Sequence, residues 1–197
     1  DYSRAVDLYR IASEQDCILA QSSMGYMYEN GFDVTLDYSK ALELFQKAAD
    51  QGYPIAQTNL GILYRDGHGV TRDYSRAVDL YRIASEQDCI LAQCSMGYMY
   101  ENGFGVVQDF SKAVEWYRKA AEQGDITGQY NLALMYEHGQ GVAQDFSKAM
   151  EWYQKAGNDG DSDAQYNLGV MYRDGRGTDQ NYLKAEEWFQ KAADKGD

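Results

Sequence analysis

The sequence predicts an all-α fold, a solenoid of stacked helix–loop–helix units. Three observations predict it. The chain repeats itself every 36 residues, each unit holds two apolar patterns of helical period, and a capping residue or glycine stands where each pattern should start or stop.

The repeat is read first. Asp-Tyr-Ser-Arg-Ala begins at Asp1 and again at Asp73, and related strings begin at Asp37, Asp109, Asp145 and Asn181. The six starts are evenly spaced, with no insertion or deletion. A unit this small cannot bury its apolar face alone, but stacked units can. The expected organisation is one continuous domain over 1–197: a lone helix at 1–16, then five helix pairs at 17–52, 53–88, 89–124, 125–160 and 161–197.

The first pattern, helix B, places Ala5, Leu8, Tyr9 and Ala12 at i, i+3, i+4 and i+7, one face of an amphipathic helix. An Asp or Asn opens all six copies, as an N-cap that accepts from an orphan N–H should. The second pattern, helix A, places Ala20, Met24, Met27 and Tyr28 on one face. It should end at Gly31, Gly67, Gly103, Gly139 and Gly175, where glycine supplies the left-handed C′ conformation. A short loop such as Gly67-His68-Gly69-Val70 leads to the next cap. Gly25, Gly61, Gly97 and Gly169 recur inside helix A, with Ala133 in the remaining copy. A mid-helix glycine costs about 1 kcal/mol relative to alanine. Its recurrence points to close helix approach, with the small face of helix B (Ala41 and Ala48) as the expected counterpart. Residues 1–34 and 73–106 match at 32 of 34 positions, differing at Ser22/Cys94 and Asp33/Gly105, which indicates a duplication.

Charge narrows the partners. The 18 Lys and Arg are outnumbered by 31 Asp and Glu, for a net charge of −13. Nucleic acid and anionic membranes call for the opposite sign. No apolar run approaches the roughly 18 residues that span a bilayer. No signal-peptide pattern or glycosylation sequon occurs, and the first residue is Asp1 and not Met, as in a fragment. Cys17, Cys89 and Cys94 give no disulfide framework. Cys89 and Cys94 point about 140° apart on a helix. Cys17 and Cys89, two repeats apart, are on the order of 20 Å from each other by helix packing distances. That fits a reducing compartment, and the expected location is cytoplasmic.

The helix A segment Ala-Gln-Tyr-Asn-Leu-Gly-Val-Met-Tyr-Arg-Asp-Gly-Arg-Gly at 164–177 and its partner Asp-Phe-Ser-Lys-Ala-Val-Glu-Trp-Tyr-Arg-Lys-Ala-Ala-Glu-Gln-Gly at 109–124 resemble the Sel1-like repeat, a branch of the tetratricopeptide superfamily. The resemblance covers essentially the whole chain. It implies a right-handed α/α superhelix that serves as an adaptor in protein complexes. The chain departs from the pattern at Asp33, which replaces the second loop glycine, and at Asp16 and Asp88, which replace the glycine ending helix B. Asp tolerates the left-handed region better than most residues, so altered turns are expected there. The chain lacks the inter-helix cysteine pairs of the family's cysteine-rich branch.

No catalytic or metal motif emerges, and no cofactor is expected. His68 and His138 fall at loops two repeats apart, where a rod-like stack keeps them from converging, and a solvated loop setting is expected for both. The Gly-x-Gly loops lack the strand and further glycine of a dinucleotide fingerprint. Asp159-Gly160-Asp161-Ser162-Asp163 resembles a calcium loop, but Ala164 and Val170 occupy the positions that need Gly and Glu, so a polar turn is expected. Trp116, Trp152 and Trp188 share a helix B position with Leu8, Leu44 and Leu80, and core packing is expected of them.

In the superfamily, helix A lines the concave groove. Carried over on the Leu-Gly-x-x-Tyr register, four positions per repeat should face it. They are Ser22, Thr58, Cys94, Tyr130 and Tyr166; then Ser23, Asn59, Ser95, Asn131 and Asn167; then Tyr26, Ile62, Tyr98, Leu134 and Val170; then Glu29, Arg65, Glu101, Glu137 and Arg173. Tyr offers large contact area with few rotatable bonds, and Asn amides both donate to and accept from a peptide backbone, although they could equally brace neighbouring helices. The helix A segments hold eight acidic residues against Arg65 and Arg173, so the groove should be acidic. No clamp for a C-terminal carboxylate is expected. The expected function is a non-catalytic scaffold for a neutral to basic protein segment or peptide. The alternatives are an assembly module that self-associates end to end and, least supported, an enzyme.

Overall fold

The computed structural model describes residues 2–194, with side chains from Val6 onward. Asp1, expected to cap the first helix, and the side chain of Ala5 lie outside the described residues. Eleven α-helices and no strand occur among the described residues: α1 Tyr2–Glu14, α2 Ile18–Asn30, α3 Tyr38–Asp50, α4 Pro54–Asp66, α5 Tyr74–Ser85, α6 Ile90–Asn102, α7 Phe110–Glu122, α8 Ile126–His138, α9 Phe146–Asn158, α10 Ser162–Asp174 and α11 Tyr182–Ala193. Odd-numbered helices are helix B and even-numbered ones helix A.

Caps set these lengths. Asp37, Asp73, Asp109, Asp145 and Asn181 each hold extended backbone and accept the N–H three residues on, at 3.0–3.1 Å. This satisfies one orphan donor of the first turn. Each helix A ends on the expected glycine with φ between 66° and 77°. Asp16, Asp33 and Asp88 take up the same left-handed conformation, with φ of 58°, 56° and 57°. The turns are therefore not altered, contrary to expectation. The following helices α2 and α6 start at the same point of the repeat as α8, after Asp125. The polar run 159–163 is a turn, with Asp161 capping α10 through the Ala164 N–H at 2.7 Å.

The second loop glycine has a tertiary reason as well as a local one. A Cβ on Gly69 would stand 2.8 Å from the Tyr38 carbonyl oxygen, and one on Gly105 2.5 Å from that of Tyr74. The loop of one repeat is thus pressed onto the start of helix B in the repeat before. His68 stacks on Tyr38 at 4.4 Å and Phe104 on Tyr74 at 4.7 Å, so His68 is half-buried in a packed contact and not simply solvated.

The chain divides into two compact units, Asp1–Met99 with Gly103–Val107, and Tyr100–Asn102 with Gln108–Asp197. In the first, Ala41, Phe45 and Ala48 of α3 pack against Ala56, Leu60 and Leu63 of α4. In the second, Leu132 and Met135 of α8, Tyr153 and Ala156 of α9, and Leu168 and Met171 of α10 are fully or almost fully buried. The mid-helix glycines Gly25, Gly61 and Gly169 receive a ring and not the small face of helix B. A Cβ would meet Phe45 at 2.7 Å from Gly25, Tyr81 at 2.6 Å from Gly61, and Phe189 at 2.5 Å from Gly169. Dispersion contact over an aromatic face offsets the helix propensity that glycine loses.

Two further devices brace the stack. Helix A carries a buried glutamine: the Gln57 Nε2 donates to the Ala49 carbonyl, and the Gln165 Nε2 to that of Gly157. The turn after the next helix B returns a glutamine of its own, with Gln51 donating to Gln21 Oε1 at 2.9 Å and Gln87 to Gln57 Oε1 at 3.0 Å. Helix B also places a cation over the last tyrosine of helix A, as in Lys40 over Tyr28, Arg76 over Tyr64 and Lys148 over Tyr136. Trp188 is buried as expected of a core residue. Trp116 and Trp152 are only half-buried, with Lys119 and Lys155 laid over their rings.

Candidate interaction face

The four helix A positions behave differently. The first is open only where the residue is large. Ser22, Thr58 and Cys94 are buried, so these small residues supply at most the floor of a groove, whereas Tyr130 is half-buried and Tyr166 exposed. Thr58 turns its hydroxyl back onto the Pro54 carbonyl. At the second position Asn59, Asn131 and Asn167 are half-buried. The amides of Asn59 and Asn131 make no hydrogen bond among the described residues. Asn167 is near enough to the hydroxyls of Tyr130 and Tyr153 to lower both phenols slightly against the burial that raises them. At the third, Tyr26 and Tyr98 are exposed and each tilts against a loop ring, Phe32 and Phe104.

The fourth position is coupled to the aromatic residue 16 places later on helix B. In the second unit the Tyr117 hydroxyl donates to Glu101 Oε2 at 2.6 Å, and that of Tyr153 to Glu137 Oε2 at 2.7 Å. Burial, and then the Glu137 carboxylate, push the Tyr153 phenol well above its ordinary range. These two glutamates are therefore half-buried acceptors and not free acidic groups on an open groove. Arg173, opposite Phe189, turns instead to Asp174 at 2.7 Å.

In the first unit that coupling is broken. Arg65 stands opposite Tyr81 and pairs through two bonds with Asp66, which holds the Asp66 carboxyl below its usual range. Arg65 also lies over the Tyr98 ring at 5.6 Å. The Tyr81 hydroxyl is buried and makes no hydrogen bond of normal geometry among the described residues; burial pushes its phenol up, and the nearby Ser95 hydroxyl offsets this only in small part. Glu29 stands opposite Phe45, which has no hydroxyl to donate. It meets no cation within ion-pairing distance among the described residues. Burial, and then the Asp66 charge, raise its carboxyl above the ordinary value.

The sequence reading missed one set of residues on this face. Leu19, Ile55 and Leu91 recur at one register near the start of α2, α4 and α6, and all are exposed. With Tyr9, Ser22, Ser23, Tyr26, Met27, Tyr53 and Asn59 they line a groove of about 470 Å³ in the first unit. The corresponding residues in the second unit are Thr127 and Asp163. Exposed leucine and isoleucine at a fixed 36-residue step were the available signal.

Among the described residues no group of three His, Cys, Asp or Glu side chains is placed to hold a metal ion. No described helix is long and apolar enough to cross a membrane. Cys17 is exposed, Cys89 half-buried and Cys94 buried, and no disulfide joins any of the three.

The family model for the Sel1 repeat matches residues 1–17, 18–53, 54–89, 90–125, 126–161 and 162–197. Among solved structures, the chain is similar to c5321, a protective antigen present in uropathogenic Escherichia coli strains displaying an SLR fold. They share 39% identity over 100% of this chain and 42% of that one, with a TM-score of 0.89. It is also similar to a Sel1 repeat protein from Oxalobacter formigenes, at 33% identity over 99% of this chain and 78% of that one, TM-score 0.87. An immunity protein, PA5088 from Pseudomonas aeruginosa, shares the fold at 24% identity, over 100% of this chain and 76% of that one, TM-score 0.70. A search of curated proteins by sequence finds no match.

Proposed function

The chain belongs to the Sel1 repeat family, an all-α solenoid fold whose members are commonly protein-interaction scaffolds, and from that premise we propose that it is a non-catalytic adaptor that holds a neutral to basic protein segment on its helix A faces. One observation carries the reading. Exposed tyrosines (Tyr26, Tyr98 and Tyr166) and the unengaged amides of Asn59 and Asn131 share the helix A register, on a framework held rigid by caps, ring-on-glycine contacts and glutamine bonds. Rigid aromatic area beside free amides is the composition of a surface that recognises extended or helical peptide. The basic side chains Lys40, Lys148 and Arg65 are engaged with rings or carboxylates of the chain itself, which supports a partner that is not acidic.

The test is a peptide-array screen of the chain beside the variant Tyr130→Ala, Asn131→Ala, Tyr166→Ala, with circular dichroism showing that both fold. Basic or neutral peptides held by the parent and lost by the variant support the reading. Equal binding by the two takes Tyr130, Asn131 and Tyr166 out of the binding surface, and absence of any peptide binding by the parent counts against the reading.

A second reading, self-association, has one observation in its favour. The outer side of α11 leaves Tyr182 and Leu183 exposed beside a hollow of about 450 Å³ lined by Arg173, Ala185, Phe189 and Ala193. Sedimentation at several concentrations separates it from a monomeric adaptor.

A further inference from the structure

The first unit presents an apolar face that its own packing does not use. Leu19 is 61% exposed, Ile55 45% and Leu91 44%, and the three stand at one register of successive A helices. Beside them Tyr26 is 50% exposed, and Asn59 turns an unengaged amide into the same groove. Large apolar side chains at this exposure have a hydration cost that a partner would remove in proportion to the area it covers. One helical turn beyond Tyr26, on the same face, is Glu29. It is half-buried, lacks the tyrosine hydroxyl that its counterparts Glu101 and Glu137 accept from, and meets no cation among the described residues. A carboxylate taken partly out of water without a partner is the group in this face that gains most from an incoming cation.

We propose that this groove docks a protein segment carrying at least two large apolar side chains and one Lys or Arg, the apolar residues covering Leu19, Ile55 and Leu91 and the cation meeting Glu29. The proposal rests on the adaptor reading and makes it specific. It assigns the docking to the first unit, adds Leu19, Ile55, Leu91 and Glu29 to Tyr26 and Asn59, and fixes the chemistry of the occupant. The second unit offers no equivalent, because Thr127 and Asp163 replace the apolar residues and Glu101 and Glu137 already accept from tyrosines.

The test selects a random library of displayed 12-residue peptides on the whole chain, then measures selected peptides by fluorescence anisotropy. Four proteins are compared: the parent, Ile55→Asp with Leu91→Asp, Glu29→Gln, and Tyr130→Ala with Tyr166→Ala. The three variants change exposed or half-buried side chains, and circular dichroism checks each fold. The expected result is enrichment of peptides with two or more large apolar residues and one Lys or Arg. Their binding is lost on the double Asp variant and unchanged on the tyrosine variant. Replacing the peptide's cation by norleucine should weaken binding to the parent by about tenfold, and hardly at all to Glu29→Gln. Peptides that bind the double Asp variant as well as the parent overturn the proposal. If those peptides depend instead on Tyr130 and Tyr166, the adaptor reading survives without it. No enrichment on the parent overturns both. Equal loss of affinity with norleucine on the parent and on Glu29→Gln removes the assignment of the cation to Glu29.

Discussion

The hydroxyl of Tyr153 donates to the Oε2 of Glu137 across 2.7 Å, joining the middle of α9 to the last turn of α8. Tyr117 and Glu101 repeat the bond, whereas Tyr81 faces Arg65 and its hydroxyl makes no hydrogen bond of normal geometry among the described residues. One substitution should therefore have opposite signs at equivalent positions. Tyr153→Phe removes a bond to a charged group and is expected to destabilise by about 1.5–3 kcal/mol. Tyr81→Phe removes a buried hydroxyl without a partner and is expected to be neutral or stabilising by up to about 1 kcal/mol. Urea unfolding of the two variants checks this, and equal losses would show that the glutamate is not what gives Tyr153 its value.

The same relationship predicts a gain at Phe45. Its ring already lies over Gly25 as the Tyr81 ring lies over Gly61. Phe45→Tyr would bring a donor toward Glu29, as Tyr153 does for Glu137. The expected stabilisation is about 1 kcal/mol, read as a higher midpoint in thermal unfolding.

Glu29 also sets a pH dependence. The charged group that acts on it is Asp66, which raises its carboxyl and is itself paired with Arg65. A carboxyl raised in the folded state binds its proton more tightly there than in the unfolded chain. Stability associated with it is then fully present below the unfolded value of about 4.3 and is lost as the pH rises through the higher folded value. Glu29→Gln cannot ionise. It should be more stable than the parent at pH 7, with the difference shrinking to nothing below about pH 4. Chemical denaturation at both values is the measurement, and a difference that does not change with pH would contradict it.

A buried acceptor offers a further site. Gln21 and Gln57 receive a donor from Gln51 and Gln87, 30 residues later, but the residue 30 places after Gln129 is Asp159, which has no amide. The Oε1 of Gln129 is buried without a partner among the described residues. Asp159→Gln is expected to supply the donor and to stabilise by about 1 kcal/mol. If the gain persists when Gln129 is replaced by Met, the bond is not its source.

Alanine at a mid-helix glycine should destabilise although alanine is the better helix former. At Gly61 the new Cβ would lie 2.6 Å from the Tyr81 ring. Overpacking of this kind costs about 1–3 kcal/mol, more than the roughly 1 kcal/mol that helix propensity returns. Gly61→Ala is thus expected to unfold at lower urea than the parent, and the double variant Gly61→Ala, Tyr81→Leu to recover part of the loss.

The repeat, the helix boundaries and the caps were legible in the sequence because each depends on short-range geometry. An Asp before an apolar helix start accepts an N–H three residues on whatever lies around it, and Gly31 or Gly67 stops a helix because its φ is positive. The register of the helix A face was legible for the same reason, since 3.6 residues per turn fix which side chains share a side. Three judgements went astray where a local rule met a packed neighbour. Asp16, Asp33 and Asp88 keep the left-handed turn of the glycines they replace, at φ of 56–58°. The helix A glycines Gly25, Gly61 and Gly169 face rings and not alanines. Ser22, Thr58 and Cys94 share the groove register but are too short to emerge from it.

The sequence by itself therefore determined the fold class, the period and the membership of each face, since these follow from bonds and contacts within a turn or two of the chain. Only the tertiary structure decided which of those side chains are available. Glu101 and Glu29 occupy equivalent positions in the sequence, yet one is held by a tyrosine hydroxyl 16 residues away and the other faces a phenylalanine ring without a donor. Leu19, Ile55 and Leu91 have the composition of a core and the exposure of a surface. Burial and hydrogen bonding depend on what lies opposite, and for a helix that is set by the neighbouring helix and not by its own sequence.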